Sequence, residues 1–165
     1  MERVMVMVVA QPTELAVFDL DVRLERACEL IVDAGQAGAQ WIIFPEAYLP
    51  GAPSWIWSVP HDDASAQALH AMVLAATVII PGGVSDRLCR VALRSRVGVA
   101  IGLVERDHDS YYSSVLFIDE HGRIYGHYRG SIGSTSRQHG WSRVASTTPV
   151  QMEQVDVQQE WAGGI

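Results

Sequence analysis

Trp41-Ile-Ile-Phe-Pro-Glu-Ala-Tyr-Leu-Pro-Gly51 carries the reading of this chain. Its first four residues are apolar, and they run into a Pro-flanked turn that holds a single carboxylate, Glu46. A short apolar run of this kind reads as a strand covered on both faces. Working backwards, Val4 to Ala10 is another continuous apolar run, rich in Val. Between the two runs, Asp19 to Ala34 places Leu24, Ala27, Cys28, Ile31 and Ala34 at helical spacing, with Asp19 or Asp21 able to cap the start and Gly35 available at the end. Strand, helix and strand at this spacing form a βαβ unit, and a βαβ unit implies parallel strands. A buried strand that stops at an acid is also a good place to hold a general base.

Working forwards, Pro50 to Pro60 is a Pro-punctuated loop carrying Trp55 and Trp57. A helix is predicted from Asp63 to about Leu74. After Pro81-Gly82-Gly83 another is predicted, capped by Ser85 or Asp86 and running to Arg96 with Leu88, Cys89, Ala92 and Leu93 on one side. Val97 to Val104 is again a buried strand. Tyr111 to Asp119, the turn Glu120-His121-Gly122 and Arg123 to Tyr128 read as a hairpin. Gly130 to Gly140 is small and polar and reads as a loop, and Val150 to Val157 as a short strand. There is no internal repeat and no compositional break, so residues 1–165 read as one domain.

A chain of 165 residues buries roughly 70% of its unfolded surface, enough to own a core. With 48% hydrophobic and 19% charged residues it is globular in composition rather than disordered. All 12 basic residues are arginine, scattered along the chain and outnumbered by 19 acids for a net charge of −7, so no nucleic-acid partner is expected. The chain contains no lysine, so chemistry that needs an amine cation cannot be done by it unaided. Cys28 and Cys89 both fall in helical segments, as small core residues of a reduced, cytoplasmic protein. Val4 to Ala10 is too short to cross a membrane, and no membrane partner is expected. Asp107-His108-Asp109 and His61-Asp62-Asp63 lack a partnering His or Cys at ligand spacing, so neither a metal nor a cofactor is expected.

The segments Val4-Met-Val-Met-Val-Val-Ala-Gln-Pro12, Phe44-Pro-Glu46, Leu49-Pro-Gly51, Ser54-Trp-Ile-Trp57, Val97-Gly-Val-Ala-Ile-Gly-Leu-Val-Glu-Arg106, Ser114-Val-Leu-Phe-Ile-Asp-Glu-His-Gly-Arg123 and Gly126-His-Tyr-Arg129 occur in one order and spacing. In that order they resemble the carbon–nitrogen hydrolase superfamily, in its nitrilase and cyanide hydratase-like branch. The resemblance implies an α/β fold, a four-layer αββα sandwich of which this chain is roughly the first αβ half, hence a single, incomplete domain over 1–165. It also implies hydrolysis of nitriles or amides through a cysteine thioester, with a glutamate base, a lysine and a supporting glutamate.

Glu46 matches the base. The lysine position is occupied by Gly130, and Arg129 matches the arginine that precedes the lysine. Where the supporting glutamate should stand, before the tryptophan matched by Trp141, this chain has Ser136-Arg137. The cysteine follows a glycine-rich run whose start matches Gly163-Gly164-Ile165, which places it beyond Ile165. For Trp55 and Trp57 two readings stand: they line a substrate pocket, or they cover the apolar side of their loop.

Two expectations follow. In one, this is a nitrilase-family hydrolase of small nitriles or amides, inactive as this chain unless a complementing C-terminal half supplies the cysteine. In the other, it is a non-catalytic remnant acting as a binding or assembly module. Helices that cover one face of a sheet apolar on both leave a face to be buried, so a homo-oligomer is expected in either case.

Overall fold

A computed structural model describes residues 6–8, 18–51, 64–132 and 143–145. Strands β1 (Val6–Val8), β2 (Trp41–Ile43), β3 (Gly98–Asp107), β4 (Ser110–Ile118), β5 (Ile124–Ile132) and β6 (Arg143–Ala145) form one mixed sheet in chain order. β1, β2 and β3 are parallel, Ile42 lying beside Met7 and Val99, as the βαβ reading requires. β3 to β6 run antiparallel to their neighbours.

Helices α1 (Leu20–Gln36) and α3 (Gly83–Ser95) pack on each other and on one face of the sheet. Leu24, Ala27, Ile31, Leu88 and Ala92 meet Ile42, Val99, Ile101, Leu103 and Leu116 in a single core. Asp19 caps α1, its carboxylate accepting the Val22 N–H at 3.1 Å. α2 (Ala64–Ala75) supplies Val73 and Leu69, which pack with Ala47 and Val104 in a smaller cluster.

Several local expectations are corrected. Gly35 does not end α1; it lies inside the helix, where a Cβ would stand 2.6 Å from the Ser95 carbonyl, so its role is the close approach to α3. Neither Ser85 nor Asp86 is the cap of α3. Gly82 is, and the Ser85 hydroxyl reaches back one turn to accept the Gly82 N–H at 2.9 Å. Leu93 is exposed rather than core. Gly130 to Ile132 are strand, not loop, because β6 offers a pairing partner that local composition does not reveal.

Side-chain alternation gives the sheet two unlike faces. Val99, Ile101 and Leu103 point into the helix-covered core, so Ala100, Gly102 and Val104 point the other way. On that second face Trp41, Ile43, Val115 and Phe117 are only partly covered. Among the described residues the uncovered face expected from the sequence is open only in part, since Ala100 and Val104 on it are buried, Val104 with Val73 of α2. The β4–β5 ladder carries one irregularity, between Phe117 and Ile118: Ile118 pairs with Ile124 but Phe117 with Gly126, leaving Tyr125 as the extra residue. Its ring meets those of Trp41 and Phe117, with centroids 5.8 and 6.0 Å apart.

Candidate active site

After β2 the chain leaves the sheet and returns. Phe44 N–H still bonds Ala100 at 2.8 Å, residues 45–48 swing out, and Leu49 rejoins β3 through Gly102 (3.2 Å) and Val104 (2.8 Å). Glu46 rides on this excursion. It can lie flat on the second face because position 102 is glycine: a Cβ there would stand 2.3 Å from the Pro45 carbonyl and 2.6 Å from Glu46 Cα.

The Glu46 carboxylate is exposed and accepts a hydrogen bond from the Ser113 hydroxyl, Oγ to Oε1 2.9 Å. Ser113 on β4 pairs directly with Gly130 on β5, so both face the same side. Three residues far apart in sequence, Glu46, Ser113 and Gly130, are thus neighbours. Directly paired positions hold their Cβ atoms about 5 Å apart, within reach of a long side chain. A Cβ at Gly130 would meet the Ser113 carbonyl at an ordinary 3.5 Å. Ser113 was invisible to sequence reasoning, since only the ladder register brings it to Glu46.

One residue earlier, Arg129 points to the opposite face. Its guanidinium bonds both oxygens of Glu105 and, at 3.0 Å, Asp107, and stands 5.0 Å from the centre of the Tyr112 ring. Glu105 is 0% exposed and also receives the Ser114 hydroxyl at 2.6 Å and His127 Nε2 at 2.7 Å. Burial pushes its carboxyl up, but hydrogen bonds from His127, Ser114 and Arg129 outweigh that and hold it below the usual glutamate range. The hydrogen bond from His108, then that from Arg129, likewise lowers Asp107. Arg129 is therefore the counter-ion of a buried acid on the helix side of the sheet, on the far side from Glu46.

Cys28 is buried in the helix-covered core and Cys89 is partly buried against it. Burial raises both thiols, which disfavours the nucleophilic thiolate. Both are on the face opposite Glu46. Among the described residues no group of three or more His, Cys, Asp or Glu is placed to hold a metal, and no helix is long and apolar enough to cross a membrane. Trp55, Trp57, Ser136, Arg137, Trp141, Gly163 to Ile165, His61 to Asp63 and the strand expected at Val150 to Val157 lie outside the described residues.

The fold is similar to that of solved enzymes. An amidase from Nesterenkonia sp. superposes with a TM-score of 0.54 at 17% identity, covering 87% of this chain and 48% of its own. A carbon–nitrogen hydrolase from Helicobacter pylori superposes with a TM-score of 0.52 at 15% identity. In sequence, the chain is 36% identical over 136 residues to Nitrilase 2 of an unknown prokaryotic organism, covering 79% of this chain and 42% of that protein. It is 31% identical over 137 residues to a bifunctional nitrilase/nitrile hydratase of Lupinus angustifolius, covering 81% of this chain and 39% of that one. It thus spans about two fifths of the length of these relatives. Since the carbon–nitrogen hydrolase profile matches residues 7–156, nearly the whole sequence, the chain belongs to the carbon–nitrogen hydrolase family.

Proposed function

We propose that this chain carries the general base of a carbon–nitrogen hydrolase site, Glu46, acting on a small nitrile or amide, and that it does not turn these over by itself. The observation that carries the reading is the pairing of Gly130 with Ser113, whose hydroxyl holds Glu46. The position matched to the family's lysine thus stands beside the base and bears no side chain. A single well-placed donor at developing negative charge contributes roughly 3–4 kcal/mol in comparable sites, and groups that act as a unit fail together. Cys28 and Cys89, on the other face of the sheet, are no substitute for a nucleophile at Glu46. The names of the relatives, nitrilase and amidase, support the substrate class; Trp55 and Trp57 are proposed to line its pocket.

The test is a fusion of a family C-terminal half after Ile165, with and without Gly130→Lys, followed by single-turnover labelling with an activated amide. The lysine should raise the labelling rate on the order of a hundredfold, and Glu46→Gln should remove the gain. Equal rates with and without the lysine refute the assignment of position 130.

A second reading, a non-catalytic assembly module, is favoured by the partly covered Trp41, Ile43, Val115 and Phe117 on the sheet face opposite α1 and α3, which α2 covers only around Val104. In that reading the face is buried against a second copy or a complementing half.

A further inference from the structure

A residue of α1 packs against the end of the Glu46 excursion. Arg23 is 1% exposed, and its guanidinium carbon stands 5.4 Å from the centre of the Tyr48 ring. Tyr48 is itself fully buried, its ring centroid 4.7 Å from that of Phe44. On the other side the chain closes at Gly51, whose φ is +91° and whose Cβ, if present, would lie 2.4 to 2.7 Å from Nε, Cζ and Nη2 of Arg23. The Gly51 N–H bonds the Ala47 carbonyl at 3.0 Å, and Ala47 takes a positive φ of 51°. The guanidinium therefore fills the space inside the turn that begins one residue after Glu46.

Burying a guanidinium is expensive, and desolvation lowers the pKa of this one. An apolar side chain of similar volume usually serves a core at least as well. This guanidinium lies within cation–π reach of the Tyr48 ring and close against the Gly51 backbone, a pair of contacts that an aliphatic chain does not reproduce. We propose that Arg23 is a positioning residue: it holds the 47–51 turn around itself and so fixes where Glu46 is presented on the sheet. The functional weight of this rests on the reading of Glu46 as the base.

The test is hydrogen exchange on the full chain, comparing wild type with Arg23→Met. The expected result is exchange at the amides of 47–51 faster by about tenfold or more, with exchange at 99–104 and the melting temperature unchanged, because the loosening is local. Exchange at 47–51 equal to wild type overturns the proposal. So does loosening of the whole sheet in step with a lower melting temperature, which would make Arg23 ordinary core. Should Arg23→Met not fold, Arg23→Lys, which keeps the charge but loses the planar guanidinium, carries the same expectation and the same refutation. Exchange reads the turn whether or not Glu46 is the base. Failure of that reading shows instead as an unaffected labelling rate in the Glu46→Gln fusion, so the two failures are distinguishable.

Discussion

Replacing Glu105 by Gln tests the buried ion network that ties β5 to β3. The carboxylate has no solvent exposure and four hydrogen bonds, from Ser114, His127 and two nitrogens of Arg129. Glutamine keeps the shape but turns one acceptor into a donor, so at least one of these partners meets a donor where it had an acceptor. Breaking a buried pair from one side destabilises by about 3–5 kcal/mol. Here the guanidinium is about a third exposed and keeps its bond to Asp107, which argues for the lower part of that range, about 3–4 kcal/mol. For a domain of this size that is a fall in melting temperature of roughly 5–15 °C.

The pH dependence has a definite sign. Because the folded Glu105 pKa lies below its ordinary value of 4.5, its contribution is fully present above the unfolded pKa and lost as pH falls through the folded one. The gap between wild type and Glu105→Gln should thus be full at neutral pH and narrow below about pH 4.5. Urea unfolding at fixed protein concentration, repeated from neutral pH to about pH 3, measures it; taking the difference cancels the other acids. A variant as stable as wild type at neutral pH, or a gap that does not change with pH, refutes the reasoning.

Gly102→Ala would put a methyl group 2.3 Å from the Pro45 carbonyl, and should destabilise by about 1–3 kcal/mol; it should also break the Ser113 to Glu46 bond, read by the urea midpoint and by side-chain NMR. Asp19→Ala removes the cap on the Val22 N–H and should lower stability by about 1 kcal/mol, seen as a shift in midpoint without a change in slope. Phe117→Glu, on the partly covered sheet face, should move the chain from an associated species to a monomer in light scattering at unchanged secondary structure; a wild type that is already a monomer refutes self-association through this face.

Much of the fold was legible in the sequence because its signals are local. The apolar runs at Trp41 and Val97, the helical spacing from Leu24 to Ala34 and the turn at Gly122 each depend on residues a few positions apart. From these the parallel βαβ start, the β4–β5 hairpin and the α1–α3 layer on one face follow. Glu46 was also legible, as the acid at the end of a buried strand. Gly35 and Ser85 were misread because each matches a cap by type, while Gly35 lies inside α1 against Ser95 of α3 and Ser85 lies one turn inside α3, bonded back to the true cap Gly82.

Only the tertiary structure decided what surrounds Glu46. Counting outwards from the turn at residues 120–122 without an irregularity would set Ser113 opposite Arg129 and turn that cation toward the Glu46 side of the sheet. The extra residue, Tyr125, shifts the ladder by one, sets Gly130 opposite Ser113 and sends Arg129 to Glu105 on the helix side. A one-residue shift reverses every side chain beyond it. The bulge residue's ring meets those of Trp41 of β2 and Phe117 of β4, contacts that no local pattern in β5 encodes, so the environment of Glu46 was fixed by packing between strands far apart in the chain.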